Sequence, residues 1–103
     1  MDKISQEDVA EAITRAGQGT AYILDVREDD EWATSHAVGA HLFSIKKMEK
    51  GQLPDVPKDI PVYTYCGSGG RAGRAAIILQ NHGWEAKNLG GLRDWIKAGG
   101  TTT

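Results

Sequence analysis

The residues of this chain that are best suited to chemistry lie in one segment, YTYCGSGGRAGRAAIIL, residues 63–79. Its cysteine, Cys66, is the only one among the 103 residues. Cys66 falls between a β-prone stretch and an amphipathic helical pattern, so we expect it on an exposed loop between a strand and a helix. A cysteine thiolate at such a position can act as a nucleophile.

The five residues after Cys66 are of types that stabilise a thiolate. Gly67, Gly69 and Gly70 lack a Cβ atom, so the chain can curl tightly and turn successive backbone N–H groups toward one anion. The N-terminus of the following helix adds unsatisfied N–H groups and the positive end of its dipole. Arg71 adds a full positive charge. Together these features favour thiolate over thiol at Cys66 and predict a nucleophile at neutral pH.

Two simpler interpretations of the segment are weaker. A buried structural cysteine is common in protein interiors, but it leaves the three glycines and the arginine unexplained. A phosphate-binding loop without covalent chemistry would not need the cysteine, and the pattern GxxxxGK[ST] is absent from the sequence. Arg74, one helical turn beyond the loop, either adds to the positive field or lies on the helix surface.

The remaining sequence predicts strands that alternate with helices. Helical periodicity begins after Ser5, which resembles an N-cap, and returns around residues 72–79 and 92–96, while the acidic residues that open 29–36 predict a short helix there. Short apolar runs at 21–26, 40–43 and 61–65 and the segment EAKNLGG predict strands. This alternation predicts one α/β domain with a mainly parallel sheet, spanning residues 1–100, with 101–103 as a C-terminal tail. Functional residues of such sheets gather at the carboxyl ends of the strands, where Asp25 and Cys66 are both expected.

The overall composition narrows the classes of function. A net charge of -2 gives no sign of nucleic-acid binding driven by charge, and no apolar run is long enough to cross a membrane. One cysteine cannot form a disulfide within the chain. The polar N-terminus does not look like a secretory signal. We therefore expect a cytoplasmic protein without a nucleic-acid or membrane partner.

Four motifs, in the same order along the chain, resemble those of the rhodanese family. The loop CGSGGR (66–71) is similar to that family's six-residue active loop, which opens with a cysteine. LDVREDDEW (24–32) resembles its strand that ends in Asp-x-Arg before an acidic helix. SHAVGA (35–40) is similar to its Gly-His-Ile-Pro-Gly-Ala turn, and LGGLRDW (89–95) to its Gly-Gly pair followed by a helix with tryptophan.

The resemblance implies a rhodanese-like fold with helices on both faces of the sheet, and a sulfurtransferase that forms a persulfide on Cys66. It implies no metal or organic cofactor. The donor is a small sulfane-sulfur compound such as thiosulfate, and the acceptor is a thiol, cyanide or a protein. The implied donor-binding residues are those of the loop: Gly67, Ser68, Gly69, Gly70 and Arg71. Asp25 and Arg27 are implied to brace the loop and to pair with a helix acid such as Glu31.

Three alternatives stay open at this point. The donor could be mercaptopyruvate instead of thiosulfate, because Gly67 stands where many thiosulfate users carry Arg or Lys. The chain could be a sulfur-carrier or persulfide-sensing module that acts with a protein partner and turns over poorly alone. A cysteine phosphatase is disfavoured, because four residues separate Cys66 from Arg71 where the phosphatases that resemble this fold have five.

Overall fold

The computed structural model describes residues 1–103 and contains five helices and four strands. In chain order the elements are α1 (Gln6–Gly17), β1 (Tyr22–Asp25), α2 (Asp29–Thr34), β2 (His41–Leu42), α3 (Ile45–Glu49), β3 (Val62–Cys66), α4 (Gly70–Asn81), β4 (Ala86–Gly91) and α5 (Leu92–Lys97). Every segment that the sequence pattern predicted as helix or strand has a counterpart here. None of the helices combines the length and the apolar character that crossing a membrane requires.

The four strands form one sheet in the order β2-β1-β3-β4, and every neighbouring pair is parallel. The sheet confirms the predicted α/β fold. Because β1 and β3 are neighbours, their carboxyl ends lie side by side: Asp25 is in register with Tyr65, and the Val26 amide donates to the Tyr65 carbonyl at 3.1 Å. The end of the sheet therefore brings the residue before Cys66 next to Asp25.

Helices cover both faces of the sheet, as the resemblance implied. Alternate residues of β3 point to opposite faces, in keeping with the two-residue period of a strand. Val62 and Cys66 pack in a buried cluster that includes residues of α3 and α4. Tyr63 and Tyr65 pack in a second cluster with residues of α1 and α5. Cys66 thus ends a strand that is buried along its whole length.

The segment after α2 departs slightly from the sequence prediction. The predicted helix over 29–36 ends at Thr34, because Ser35 has extended backbone angles, φ -171° and ψ 144°. His36 is then free to pair with Thr103 through two backbone hydrogen bonds of 2.9 and 3.0 Å. The three C-terminal threonines lie against residues 36–38 through an antiparallel bridge between Ala37 and Thr102.

Candidate active site

Cys66 is the last residue of β3, and its side chain is buried at 1% exposure, so the expectation of an exposed cysteine is wrong. Its position on the strand turns it toward α4, where Ala72 and its neighbours pack against it. The sulfur is nevertheless held by polar groups. The Sγ atom accepts hydrogen bonds from the backbone amides of Gly69, at 3.0 Å, and Ala72, at 3.3 Å.

The loop that follows Cys66 wraps tightly around the sulfur. Gly69 has φ 114°, a left-handed conformation that favours glycine, and it is the N-cap of α4. This turn aims the Gly69 amide at Cys66. Gly67, Ser68 and Gly70 are exposed, so they form the outer surface of the loop. The loop and the first turn of α4 therefore direct two N–H groups at the sulfur, and the exposed loop residues form an open rim, an arrangement that stabilises negative charge on sulfur.

Arg71 closes the loop and is held by a carboxylate from α2. Its Nη1 and Nη2 atoms donate to Oε1 and Oε2 of Glu31 at 2.7 and 3.0 Å, a two-pronged ion pair between residues 40 apart in sequence. The hydrogen bond with Arg71 lowers the pKa of Glu31 from its ordinary 4.5 to about 2. The same pair, more than the nearby Cys66, raises the pKa of Arg71. Glu31 and Arg71 are therefore both charged at neutral pH.

Asp25 and Arg27 form a separate, buried pair, so the predicted pairing of Arg27 with Glu31 is wrong. The Arg27 guanidinium donates to both oxygens of Asp25 at 2.8–3.1 Å and to the Ser35 carbonyl at 2.7 Å. The Tyr65 hydroxyl donates to Asp25 at 2.7 Å and accepts from the Ala37 amide at 3.0 Å. Burial, the largest single effect, opposes the charge on Arg27, but the hydrogen bond and charge of Asp25 and the effect of Tyr65 together outweigh it and raise the Arg27 pKa. This group contacts the residue before Cys66 and not the loop itself.

Asn88 is a residue of the site that the sequence analysis missed. It is buried on β4, and its amide nitrogen donates to the carbonyls of Gly69, at 3.0 Å, and Met1, at 2.8 Å. Its oxygen accepts from the Gly90 amide at 2.9 Å. Gly69 is therefore fixed on both sides: its N–H donates to the Cys66 sulfur, and its carbonyl accepts from the Asn88 amide. No local pattern marks an asparagine in a strand for this role.

The two glycines after Asn88 bring β4 close beneath the loop. A Cβ atom on Gly91 would overlap the carbonyl oxygen of Gly67, and one on Gly90 would overlap the Asp94 carboxylate. Asp94 accepts from the Gly91 amide at 2.8 Å and from Lys3 at 3.2 Å, which fixes the turn into α5. Gly91 of the LGGLRDW motif therefore leaves the space in which Gly67 of the Cys66 loop lies, and Gly90 leaves the space for the Asp94 carboxylate.

The side chains of His36 and Arg74 make contacts that do not involve the sulfur. His36 stacks on Trp32, with ring centroids 3.5 Å apart, and its Nδ1 atom is 2.9 Å from the Trp32 carbonyl oxygen. Arg74 lies on the surface of α4 and pairs with Glu49 at 3.5 Å. No group of three or more His, Cys, Asp or Glu side chains is arranged to hold a metal ion.

Comparison with known proteins places these features in a family. A family model described as a Rhodanese-like domain matches residues 5–98. The uncharacterized protein YqhL of Bacillus subtilis (strain 168) is 39% identical over 83 residues, which cover 79% of this chain and 65% of YqhL. The protein HIGH ARSENIC CONTENT 1, mitochondrial, of Arabidopsis thaliana is 34% identical over 89 residues, covering 74% of this chain and 53% of that protein. The chain thus spans less than two thirds of either relative.

Solved structures share the fold. A rhodanese-related protein from Thermoplasma volcanium superposes with a TM-score of 0.79 at 22% identity, covering 100% of this chain and 98% of that chain. A rhodanese from E. coli, solved with anions, has a TM-score of 0.65 at 27% identity and covers 81% of this chain and 96% of that chain.

Proposed function

The chain belongs to the rhodanese-like domain family, and on that premise we propose that it is a sulfurtransferase that carries a sulfane sulfur on Cys66 as a persulfide. The observation that carries the proposal is the pair of backbone N–H groups on the Cys66 sulfur, at 3.0 and 3.3 Å. A cysteine kept only for packing does not need amide donors aimed at its sulfur. These donors stabilise the thiolate that attacks, and they can also stabilise the negative charge of a persulfide.

With thiosulfate as the donor, the reaction has two balanced steps. The Cys66 thiolate attacks the outer sulfur, a new S–S bond forms on Sγ, the S–S bond of thiosulfate breaks, and sulfite leaves with the bonding electron pair. Cyanide then attacks the outer sulfur of the persulfide, thiocyanate forms, and the Cys66 thiolate returns. A small thiol or a protein thiol can take the place of cyanide. No metal or organic cofactor takes part in either step.

The residues of the loop have distinct roles in this proposal. The backbone of Gly67, Ser68, Gly69 and Gly70, together with Arg71, surrounds the donor, while the Asp25–Arg27 pair supports the strand ends from which the loop begins. A reducing compartment such as the cytoplasm would keep the Cys66 thiol available between turnovers.

The proposal is tested by intact mass spectrometry after mixing the protein with thiosulfate and, separately, with mercaptopyruvate. We expect a gain of one sulfur atom on the wild-type chain, which cyanide removes as thiocyanate. Cys66→Ser should keep the fold, because a serine hydroxyl can accept from the same two amides, and should gain no sulfur. Circular dichroism checks the fold of the variant. Sulfur transfer by Cys66→Ser would contradict the persulfide mechanism.

A further inference from the structure

We propose that Glu31 is a specificity-determining residue that disfavours dianionic donors, because it neutralises the one side-chain cation of the Cys66 loop. The inference rests on the proposed sulfur-transfer function and concerns which donor the loop selects. The sequence alone suggested that Arg71 would capture an anionic donor. The structure instead shows the Arg71 guanidinium engaged with both carboxylate oxygens of Glu31.

The ion pair lies where it can affect the donor. A Cβ atom added to Gly67, the first residue after Cys66, would be 3.3 Å from Nη2 of Arg71, so the guanidinium borders the loop rim. The Arg71 and Glu31 side chains are 31% and 32% exposed, so a donor at the rim meets both charges of the pair. Arg71 can still donate hydrogen bonds there, but its positive charge is offset by a carboxylate less than 3 Å away.

The neighbouring arginines do not make up for this loss of positive charge. Arg27 is buried against Asp25, and Arg74 pairs with Glu49 on the outer face of α4. The side chains on the α2 side of the loop thus supply no net positive charge to a donor.

The charge balance of the chemical step makes this arrangement selective. When the Cys66 thiolate attacks thiosulfate, its one negative charge and the two of the donor come together at the loop. When it attacks a monoanionic thiosulfonate, only two negative charges come together. In both cases the S–S bond of the donor breaks and the leaving group departs with the electron pair, as sulfite or as a sulfinate. Coulomb energies grow in proportion to the charge of the donor. A loop without net side-chain charge therefore stabilises the thiosulfate step less well than a loop in which Arg71 is free.

The test compares thiosulfate with methanethiosulfonate, which has the same transferable sulfur and one negative charge fewer. Glu31→Gln leaves Arg71 uncompensated and should raise kcat/KM for thiosulfate about tenfold, which corresponds to about 1.4 kcal/mol, mainly through a lower KM. Because the monoanion carries half the charge, the same change should raise its kcat/KM about threefold. In a reaction that passes through a persulfide, kcat/KM for the donor reports the loading step alone.

The substitution and its control are matched. Glutamine keeps the oxygen that accepts from the Glu28 amide at 3.2 Å, so the start of α2 is preserved. Asp30→Asn removes the same charge one residue earlier from a side chain without an ion pair in the structure, and it should change the ratio of the two kcat/KM values less than about twofold because exposed charges are screened.

Each outcome of the comparison either supports or overturns the inference. A larger gain for thiosulfate than for methanethiosulfonate in Glu31→Gln, absent in Asp30→Asn, supports it. Equal changes for both donors, or a loss for both, would mean that Glu31 only positions the loop and would overturn the inference, while sulfur on Cys66 would still support the proposed function. Absence of sulfur on the wild-type chain and on Glu31→Gln with either donor would overturn the proposed function and the inference together.

Discussion

The ion pair between Glu31 and Arg71 joins the loop to α2, and its effect on stability depends on pH. The folded-state pKa of Glu31 is about 2, below its ordinary 4.5, chiefly because of the hydrogen bond with Arg71. A carboxyl group whose pKa is lowered by folding stabilises the native state above its unfolded pKa and loses that contribution as the pH falls through the folded pKa. The pair should therefore be intact at neutral pH and weaken only in acid.

We expect wild-type protein to be more stable than Glu31→Gln at pH 7 by about 0.5–1 kcal/mol, a modest value because both side chains are about a third exposed. The difference should persist down to about pH 4.5 and disappear as the pH approaches 2. Urea unfolding of both proteins across this range measures it. A difference that did not shrink in acid would show that the carboxylate charge is not its source.

The sequence predicted that Cys66 lies between a strand and a helix, but it did not predict that the Cys66 side chain is buried. The partners of the arginines were harder to predict. For both Arg27 and Arg71 the sequence contains more than one acidic residue that could form the ion pair, and only the fold determines which one does. Asp25 ends the buried strand next to Tyr65 and binds Arg27 two residues away, whereas Glu31 on α2 meets Arg71 across 40 residues of sequence. Side-chain pairing over such separations leaves no periodic signal in the chain.

At the scale of elements, the site depends on how closely β4 approaches the loop between β3 and α4. Gly91 pairs with Cys66 in the sheet. This pairing results from an irregularity in β4 between Asn88 and Gly90, where the register between β3 and β4 shifts. The Asn88 amide reaches the Gly69 carbonyl at this point. The hydrophobic and glycine patterns predicted both strands and the helix between them, but not the shift in register, because it depends on pairing with β3.

The substitution Gly91→Ala tests whether the close contact between β4 and the loop positions Cys66. The new methyl group would overlap the carbonyl oxygen of Gly67 and lie 3.2 Å from the Ser68 nitrogen, so the loop must move. We expect sulfur transfer to fall at least about tenfold, since small displacements of a reacting group are costly, and stability to fall by about 1–3 kcal/mol from overpacking.

Steady-state kinetics and urea unfolding of Gly91→Ala measure the two effects. Gly17→Ala is the matched control, because a Cβ atom there meets nothing within 4 Å and the residue lies at the end of α1, away from the loop. Full activity in Gly91→Ala would mean that the contact between β4 and the loop does not position Cys66.

At the scale of the whole molecule, alternation of strands and helices was enough to predict a mainly parallel sheet, and the family resemblance implied helices on both faces. Neither was enough to predict the contacts that the first and last residues make with the rest of the fold. At the N-terminus, the Ile4 amide donates to the Asn88 carbonyl at 2.8 Å, and Lys3 pairs with Asp94. At the C-terminus, three threonines run beside residues 36–38. Both contacts are made by backbone groups or by long flexible side chains. A hydrophobic pattern in the sequence does not predict contacts of these kinds.

The C-terminal contact makes a prediction about stability that is separate from activity. The Thr101 carbonyl accepts from the buried indole N–H of Trp95, at 2.8 Å, and from the Val38 amide, at 3.0 Å, while Thr103 exchanges two backbone hydrogen bonds with His36. Deleting residues 101–103 removes all four bonds and leaves the Trp95 N–H without its partner. Each bond contributes roughly 0.5–1.5 kcal/mol, and release of three ordered residues offsets part of the loss. We expect a net destabilisation of about 1–3 kcal/mol in urea unfolding.

Replacing all three threonines with alanine keeps the backbone bonds and should leave stability nearly unchanged, which makes it the matched control. Sulfur transfer below the unfolding transition should be unaffected in both variants, because none of these contacts involves the Cys66 loop. A deletion variant as stable as the wild type would show that residues 36–38 and Trp95 find water or other partners at no cost, and an alanine variant as unstable as the deletion would show that the threonine side chains, not their backbone, hold this end of the molecule.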